Sequence, residues 1–386
     1  LLFGSQVAAL LASGCVERRL NLRAVQRFFF YLAIPPPDTI IEGCRALPAG
    51  HYLLASPGSA PVVQRYWWLR YDPSRVPSKP DDAAECLRDA IARTVHSHLQ
   101  SEVPLGSFLS GGLDSSSIVS FLKEYVPGRL KTFSVGFEGP GTEGYSELPY
   151  AQLVAERFGT DHHYIAHTGC SVARELPRMI EAMDQPTTDG INTYLVSQIA
   201  KSEVTVSFSG TGPDELLLGY NRDAWLNGFR HLRMAQQAVP APFRRAADRI
   251  LEWLPEQYFS PSLRRCRSFL SDPQAMLHNY LFATGSGMAV LNPEECHEIL
   301  IGRNGSDEMW DDYMDPLALD KESELEPLII AISRWEVMGF AGMVLLPDTD
   351  AMSMYHSLEV RVPFYDRDFM ELAFSLPASL KDPRHG

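Results

Sequence analysis

One stretch constrains this chain more than any other: Phe108-Leu109-Ser110-Gly111-Gly112-Leu113-Asp114-Ser115-Ser116. Ahead of it, residues 105–109 read as a short buried strand, and behind it residues 118–125 carry the apolar spacing of a helix. Glycines between a strand and a helix let main-chain N–H groups converge on an anion. Serine hydroxyls add donors, and the helix contributes its positive end. Ser-Gly-Gly is also ordinary turn chemistry, but its flanks favour a phosphate cradle. The loop lacks the Gly-Lys-Ser/Thr ending of the common mononucleotide loop, so it holds no lysine for a γ-phosphate and points away from kinase or motor ATPase chemistry.

The strand–helix alternation continues downstream. Residues 132–137, 163–166 and 204–209 read as strands, and 148–158, 172–183 and 194–201 as helices. Upstream, Asp82 with Glu85 three residues on resembles a capping box, followed by Ala84, Leu87, Ile91, Val95 and Leu99 at helical spacing. From about residue 225 onward the patterns are mainly helical. They include 328–346, which Pro327 would open, and 367–376, with Asp366 as its N-cap. The expected fold class is α/β: a parallel sheet flanked by helices, with ligands at the carboxyl ends of the strands and a mainly helical C-terminal part. The proline-rich residues 71–80 read as a linker. Before it, residues 1–70 hold strand-like pieces such as His51-Tyr52-Leu53-Leu54 and too little apolar pattern for an independent core.

A second loop, Ser209-Gly210-Thr211-Gly212-Pro213-Asp214-Glu215, follows the last of those strands. Two parallel strand ends would bring Asp114 and Asp214 into one crevice. Such a pair suits Mg²⁺, which takes a few carboxylates and completes its shell with phosphate oxygens. The plainer alternative for Asp214 and Glu215 is charge placed at a helix start to complement its dipole.

Composition narrows the partners. The chain has 386 residues, 45% of them hydrophobic, enough for about two or three domains. Its formal charge of −14 opposes a broad hold on nucleic acid or anionic lipid, so a small-molecule substrate fits better. Six cysteines, at 15, 44, 86, 170, 266 and 296, show no metal-knuckle or redox spacing, and a reducing cytoplasm is the default compartment. Residues 328–346 are long enough to span a bilayer. Arg334 and Glu336 inside them would each cost roughly 2.5–3.5 kcal/mol at mid-membrane, so a buried helix is expected. The chain starts at Leu1 without an initiator Met and without the basic stretch of a signal peptide, and it reads as cut from a longer protein.

Ser-Gly-Gly-x-Asp-Ser resembles the pyrophosphate loop of the ATP pyrophosphatases. With the second loop, the chain is similar to the asparagine synthetase family, glutamine-dependent amidotransferases with such a synthetase domain. Further stretches carry that likeness: Leu47-Pro48-Ala49-Gly50-His51-Tyr52, Phe133-Ser134-Val135-Gly136-Phe137, Asp161-His162-His163, Asp348-Thr349-Asp350-Ala351-Met352-Ser353-Met354, and Leu358-Glu359-Val360-Arg361-Val362-Pro363-Phe364. The resemblance implies a glutaminase (Ntn hydrolase) remnant over 1–70 and a synthetase domain over 81–386. It implies that ATP is bound by Leu109, Ser110, Gly111, Gly112, Asp114, Ser115, Val135, Ser209 and Gly210, with Mg²⁺ on Asp114 and Asp214. The implied reaction is adenylation of a carboxylate, aspartate first among candidates, with release of pyrophosphate. Attack by ammonia, taken from glutamine, then forms the amide. Arg361 is a candidate for the substrate carboxylate, with a structural role equally open. A homodimer is the assembly to test.

The chain departs from the family pattern at Thr211, where many members carry a glutamate, and a threonine is no carboxylate base. Glu215 and Glu359 are the candidate replacements. None of the six cysteines is placed to be the family's N-terminal glutaminase nucleophile, and the family's later Gly-Lys element does not occur before Gly386. Two alternatives stay open: a ring-closing amide synthetase of the β-lactam synthetase or macrolactam cyclase type, and a non-catalytic nucleotide-binding homologue.

Overall fold

A computed structural model of the chain describes residues 1–140, 142, 146–219 and 328–381. The helical patterns expected from 225 onward up to Pro327, together with Cys266 and Cys296, lie outside the described residues.

The N-terminal part contains helices α1 (Val7–Ala12) and α2 (Leu22–Tyr31) and an antiparallel hairpin of β1 (His51–Leu54) and β2 (Val62–Arg65). Asn21 caps α2 by accepting from the Ala24 N–H. Apolar burial here runs through Ala24, Tyr31, Leu32, Ala33 and Ile34, with a separate cluster around Val7, Ile41 and Cys44. The segment is also hooked to the rest through side chains that read its main chain. Asp184 Oδ1 accepts from Val7 N at 2.6 Å, and Gln185 Oε1 accepts from Ile40 N at 2.8 Å. The stretch 71–80 is exposed at most positions, with Val76 buried and the Tyr71 ring edge-on to Phe374 at 6.3 Å; just ahead of it Leu69 is fully buried and Trp67 donates to Glu371.

Helix α3 (Pro80–Ser97) starts earlier than the Asp82–Glu85 pair implies. Pro80 takes the first turn, where its missing N–H costs nothing, Asp81 and Asp82 face the positive helix end, and no side-chain cap forms. Its inner face is Ala83, Ala90, Thr94 and Val95, while Ala84 is exposed.

The sheet then assembles from β3 (Leu105–Phe108), β4 (Lys131–Phe137), β5 (Asp161–His167), β6 (Val206–Phe208) and β7 (Glu359–Arg361). All neighbours are parallel, in the spatial order β5-β4-β3-β6-β7. Helices α4 (Leu113–Tyr125), α5 (Leu148–Phe158), α6 (Gly169–Ala182), α7 (Ile191–Ala200) and the short α8 (Pro213–Leu217) connect the strands. The chain grows outward from β3 to β5, then returns to place β6 on the other side of β3. Strand order therefore reverses between β3 and β6, and the crevice at such a switch point is where open α/β sheets take ligands. Both candidate loops emerge there.

The two faces of the sheet are covered differently. Ile118, Val119 and Leu122 of α4 and Ala151 and Ala155 of α5 belong to the larger core with Leu109, Phe208 and Leu216. Tyr194, Leu195, Val196 and Ala200 of α7 pack on the opposite side with Phe133, Met179 and Met352. Full burial of each large side chain contributes roughly 1.5–3 kcal/mol.

The apolar stretch from 328 is a buried helix, as expected, but it runs further. α9 (Leu328–Trp335) passes through a π-helical segment (Glu336–Leu345) into α10 (Leu346–Tyr355). Pro347 would normally end a helix by clashing with the carbonyl one turn back; here it stands at the start of α10, directly behind the π-helical segment. The segment Ile329–Tyr355 is long and apolar enough to cross a membrane, yet 72% of its most apolar stretch is buried inside the protein. Arg334, 3% exposed, donates to the Leu69 carbonyl and lies 4.7 Å from the Phe374 ring centroid. Beyond β7, Asp366 caps α11 (Arg367–Phe374) through the N–H groups of Asp368 and Phe369, and α12 (Ala378–Lys381) follows.

Candidate active site

The first loop is built by its own hydroxyls. Ser115 Oγ accepts from Ser110 N (3.1 Å), lies 3.0 Å from Ser110 Oγ and donates to the Gly112 carbonyl, while Ser110 Oγ accepts from Gly112 N at 3.3 Å. Gly111 has φ +86°, and a Cβ on it would stand 2.5 Å from the Ala151 nitrogen, so α5 leaves no room for a side chain. Gly112 precedes α4 without any side-chain cap. The first N–H groups of α4 are left to face the crevice, the arrangement that binds anions.

The second loop is pressed against the first. A Cβ on Gly210 would lie 2.6 Å from Ser115 N and 2.8 Å from the Asp114 carbonyl carbon. Ser209 N donates to the Arg361 carbonyl of β7, and Ser209 Oγ and Thr211 Oγ1 share a 2.9 Å hydrogen bond. Gly212, at φ +134°, turns the chain into α8 beneath Phe364. Asp214 and Glu215 then fall in the first turn of α8.

These loops bring Asp114, Asp214 and Glu215 together although α4 and α8 are far apart in sequence. Burial, then the charges of Asp214 and Glu215, push the Asp114 carboxyl up to about 7. Burial also raises Asp214. Glu215 is 1% exposed, and its Oε2 accepts from the Tyr365 hydroxyl at 3.2 Å. Among the described residues no three His, Cys, Asp or Glu side chains form a metal cage by themselves.

Leu109 and Val135 meet this crevice from β3 and β4. Leu109 N donates to Phe133 O, and Ser134 Oγ donates to the Leu109 carbonyl. The β3–β4 register ends at Phe108 and Phe133, whereas β4 runs on to Phe137 paired with β5 alone. Phe133 presents its carbonyl to the β3 side, so by the twofold alternation of a strand Val135 presents its N–H and C=O to the same side, past the end of β3. That open edge beside the loops is a donor–acceptor pair suited to a planar heterocycle.

Arg361 is not brought to the carboxylates. Its guanidinium donates to the carbonyls of His98 and Gln100 and to Glu359, in the segment that enters β3 at the opposite end of the sheet. Glu359, the other candidate for the acid–base role, is exposed at the start of β7 and pairs with that arginine.

A further pair of carboxylates borders the same end of the sheet. Asp348 of α10 accepts from Thr187 Oγ1 (2.5 Å) and Gly190 N (2.9 Å), and burial pushes its carboxyl up to about 6. Asp189 beside it is raised by burial too. Asp348 stands in a motif that the sequence reading singles out, but nothing local to it reveals that its partners lie in the loop before α7.

The comparisons with known proteins agree with this geometry. The chain matches the asparagine synthase family over residues 86–385. It is 30% identical over 372 residues to asparagine synthetase [glutamine-hydrolyzing] 1 of Bacillus subtilis, covering 94% of this chain and 54% of that protein. A putative asparagine synthetase [glutamine-hydrolyzing] of Mycobacterium bovis is 28% identical over 382 residues, covering 95% of this chain and 54% of its own length. Asparagine synthetase B [glutamine-hydrolyzing] of Escherichia coli is 35% identical over 202 residues, 47% of this chain and 35% of that protein. The chain thus spans about half the length of the first two curated relatives. With the match extending from α3 to the C-terminal helices, and both loops meeting at the switch point, the chain belongs to the asparagine synthase family.

Proposed function

We propose that this chain carries the ATP-dependent half of an amide synthetase, adenylating a carboxylate and passing the acyl group to ammonia. Aspartate is the first acceptor to test, with AMP and pyrophosphate as co-products and glutamine or free ammonia as nitrogen source. The observation that carries this reading is the contact of Gly210 with Ser115, which joins the two loops into one crevice lined by Asp114, Asp214 and the N-terminus of α4. Residues 1–70 are read as part of a glutaminase domain and 81–386 as the synthetase domain. The reading puts the protein in the cytoplasm, acting on small molecules.

In this mechanism the N–H groups at the start of α4 and the hydroxyls of Ser110 and Ser115 hold the β- and γ-phosphates. The charge that grows on pyrophosphate in the transition state then falls on fixed donors. Val135 offers its open main-chain pair to adenine, and Ser209 and Gly210 flank the ribose and α-phosphate. The substrate carboxylate attacks the α-phosphorus, the bond to the β-phosphate oxygen breaks, and pyrophosphate leaves. The carboxylates of Asp114 and Asp214, drawn toward each other in the crevice, are hard oxygen donors that fit a hard cation completed by phosphate oxygens. Asp114 and Asp214 would hold Mg²⁺, which when bound neutralises charge on the leaving group. Glu215, buried and hydrogen-bonded to Tyr365, is the candidate for the acid–base role that Thr211 cannot take.

The test is carboxylate-dependent ATP–pyrophosphate exchange in the full-length protein across a panel of carboxylates. AMP and pyrophosphate support the reading, and ADP with phosphate would sink it. In a second reading an amine of the substrate itself attacks the acyl-adenylate and closes a ring; Thr211, engaged with Ser209, leaves the base for either amine to another residue. Amide formation without glutamine or ammonia would select that reading.

A further inference from the structure

Helix α8 carries Asp214 but has only five residues, too few to hold a helix unaided. It is fixed from behind. Ser333 Oγ of α9 donates to the carbonyls of Glu215 (3.2 Å) and Leu216 (2.9 Å). Lys381 Nζ of α12 donates to the same Leu216 carbonyl (2.9 Å) and to the Phe374 carbonyl (3.2 Å), and lies 4.9 Å from the Phe374 ring centroid. Ser333 is 0% and Lys381 5% exposed. Burying an ammonium is costly unless its donors are used. Here they are used on the last carbonyls of α8 and α11, where a positive charge meets the negative helix ends. Just past that same C-terminal end, the N–H groups of Leu218, at φ +62°, and Gly219 donate to the Asp214 carbonyl.

We infer that Lys381, assisted by Ser333, is a positioning residue for Asp214. It clamps the C-terminal turn of α8, so that the first turn presents Asp214 opposite Asp114. The last described helix of the chain is thereby coupled to the metal and nucleotide crevice without touching it. Lys381 acts on main-chain carbonyls and not on phosphate. The inference rests on the proposed role of Asp214 as a metal ligand, and metal binding measured apart from turnover separates the two.

The probe is Mn²⁺ titrated into the full-length protein with α,β-methylene ATP and followed by electron paramagnetic resonance. Lys381→Met, which keeps an apolar stem of similar length, is expected to weaken Mn²⁺ binding about tenfold, the low end of the roughly 10–100-fold loss seen when an outer-shell partner of a metal site is removed. Binding of the analogue without metal should stay as in wild type. Wild-type Mn²⁺ affinity in folded Lys381→Met overturns the inference. Should that variant fail to fold by circular dichroism, Ser333→Ala carries the same test with the same two outcomes, a weakened or an unchanged Mn²⁺ affinity. Wild-type protein that binds Mn²⁺ but forms no acyl-adenylate defeats the proposed reaction and leaves the inference standing. Wild-type protein that binds no Mn²⁺ with the analogue defeats both.

Discussion

Gly210 sits so tightly on the first turn of α4 that a Cβ there would stand 2.6 Å from the main-chain nitrogen of Ser115. The neighbour is backbone, not the end of a flexible side chain, so Gly210→Ala must part the two loops. A displacement of about 1 Å at reacting groups costs on the order of a hundredfold in rate. The expected outcome is a comparable loss of carboxylate-dependent exchange in a protein that keeps wild-type circular dichroism. Wild-type exchange would show that the loops do not act as one crevice.

Asp114 yields a pH prediction. Its folded value of about 7 exceeds the ordinary 3.8 because burial and the charges of Asp214 and Glu215 disfavour ionisation. The folded state therefore binds the proton more tightly than the unfolded chain does. The stabilisation is complete below the unfolded value and is lost as pH rises from about 4 to about 7. Asp114→Asn removes that loss. In metal-free buffer its unfolding midpoint should exceed wild type at pH 8 by roughly 2–4 °C, corresponding to about 1 kcal/mol left after solvent screening. At about pH 4 the two proteins should coincide. The same variant should lose exchange activity, and a midpoint below wild type at pH 8 would contradict the electrostatic account.

What the sequence made legible was local. Residues 148–158 form a helix and 51–54 a strand with the expected bounds, and Asp366 caps α11 as its position implies, because each depends on neighbours in the chain. The two glycine-rich loops were legible because strand–glycine–helix succession leaves one place for them. What escaped depends on partners far away. The helix continues past Pro347 behind a π-helical segment that packs on α8, a neighbour more than a hundred residues earlier in the chain. Asp348 reveals its role only when α10 meets Thr187 and Gly190, and the guanidinium of Arg361 finds carbonyls at the end of α3.

The bond from Thr187 to Asp348 can be tested by pH as well. Thr187→Val keeps the shape and removes the hydroxyl that lowers the Asp348 carboxyl against the burial that raises it to about 6. The wild-type contribution fades as pH rises from about 4 to 6, and the variant, with a still higher folded value, extends that loss upward. The expected cost is about 1–3 kcal/mol. Denaturant titrations should find it larger at pH 8 than at pH 5, and an equal cost at both would mean that the hydroxyl does not act through the carboxylate.

Arg361 separates a binding role from a structural one. Its donors reach the carbonyls of His98 and Gln100, and a carboxylate-binding arginine at the crevice would have to leave both. Arg361→Ala removes the donor to the part-buried His98 carbonyl while the exposed Gln100 carbonyl and Glu359 turn to water, so the expected cost in denaturant unfolding is about 0.5–1.5 kcal/mol. Under the structural role, the KM for the acceptor carboxylate in the exchange assay is unchanged, because no donor to the substrate has been removed. A large rise in that KM with unaltered stability would instead restore Arg361 to the substrate site, since an interaction made equally in ground and transition states appears in KM alone.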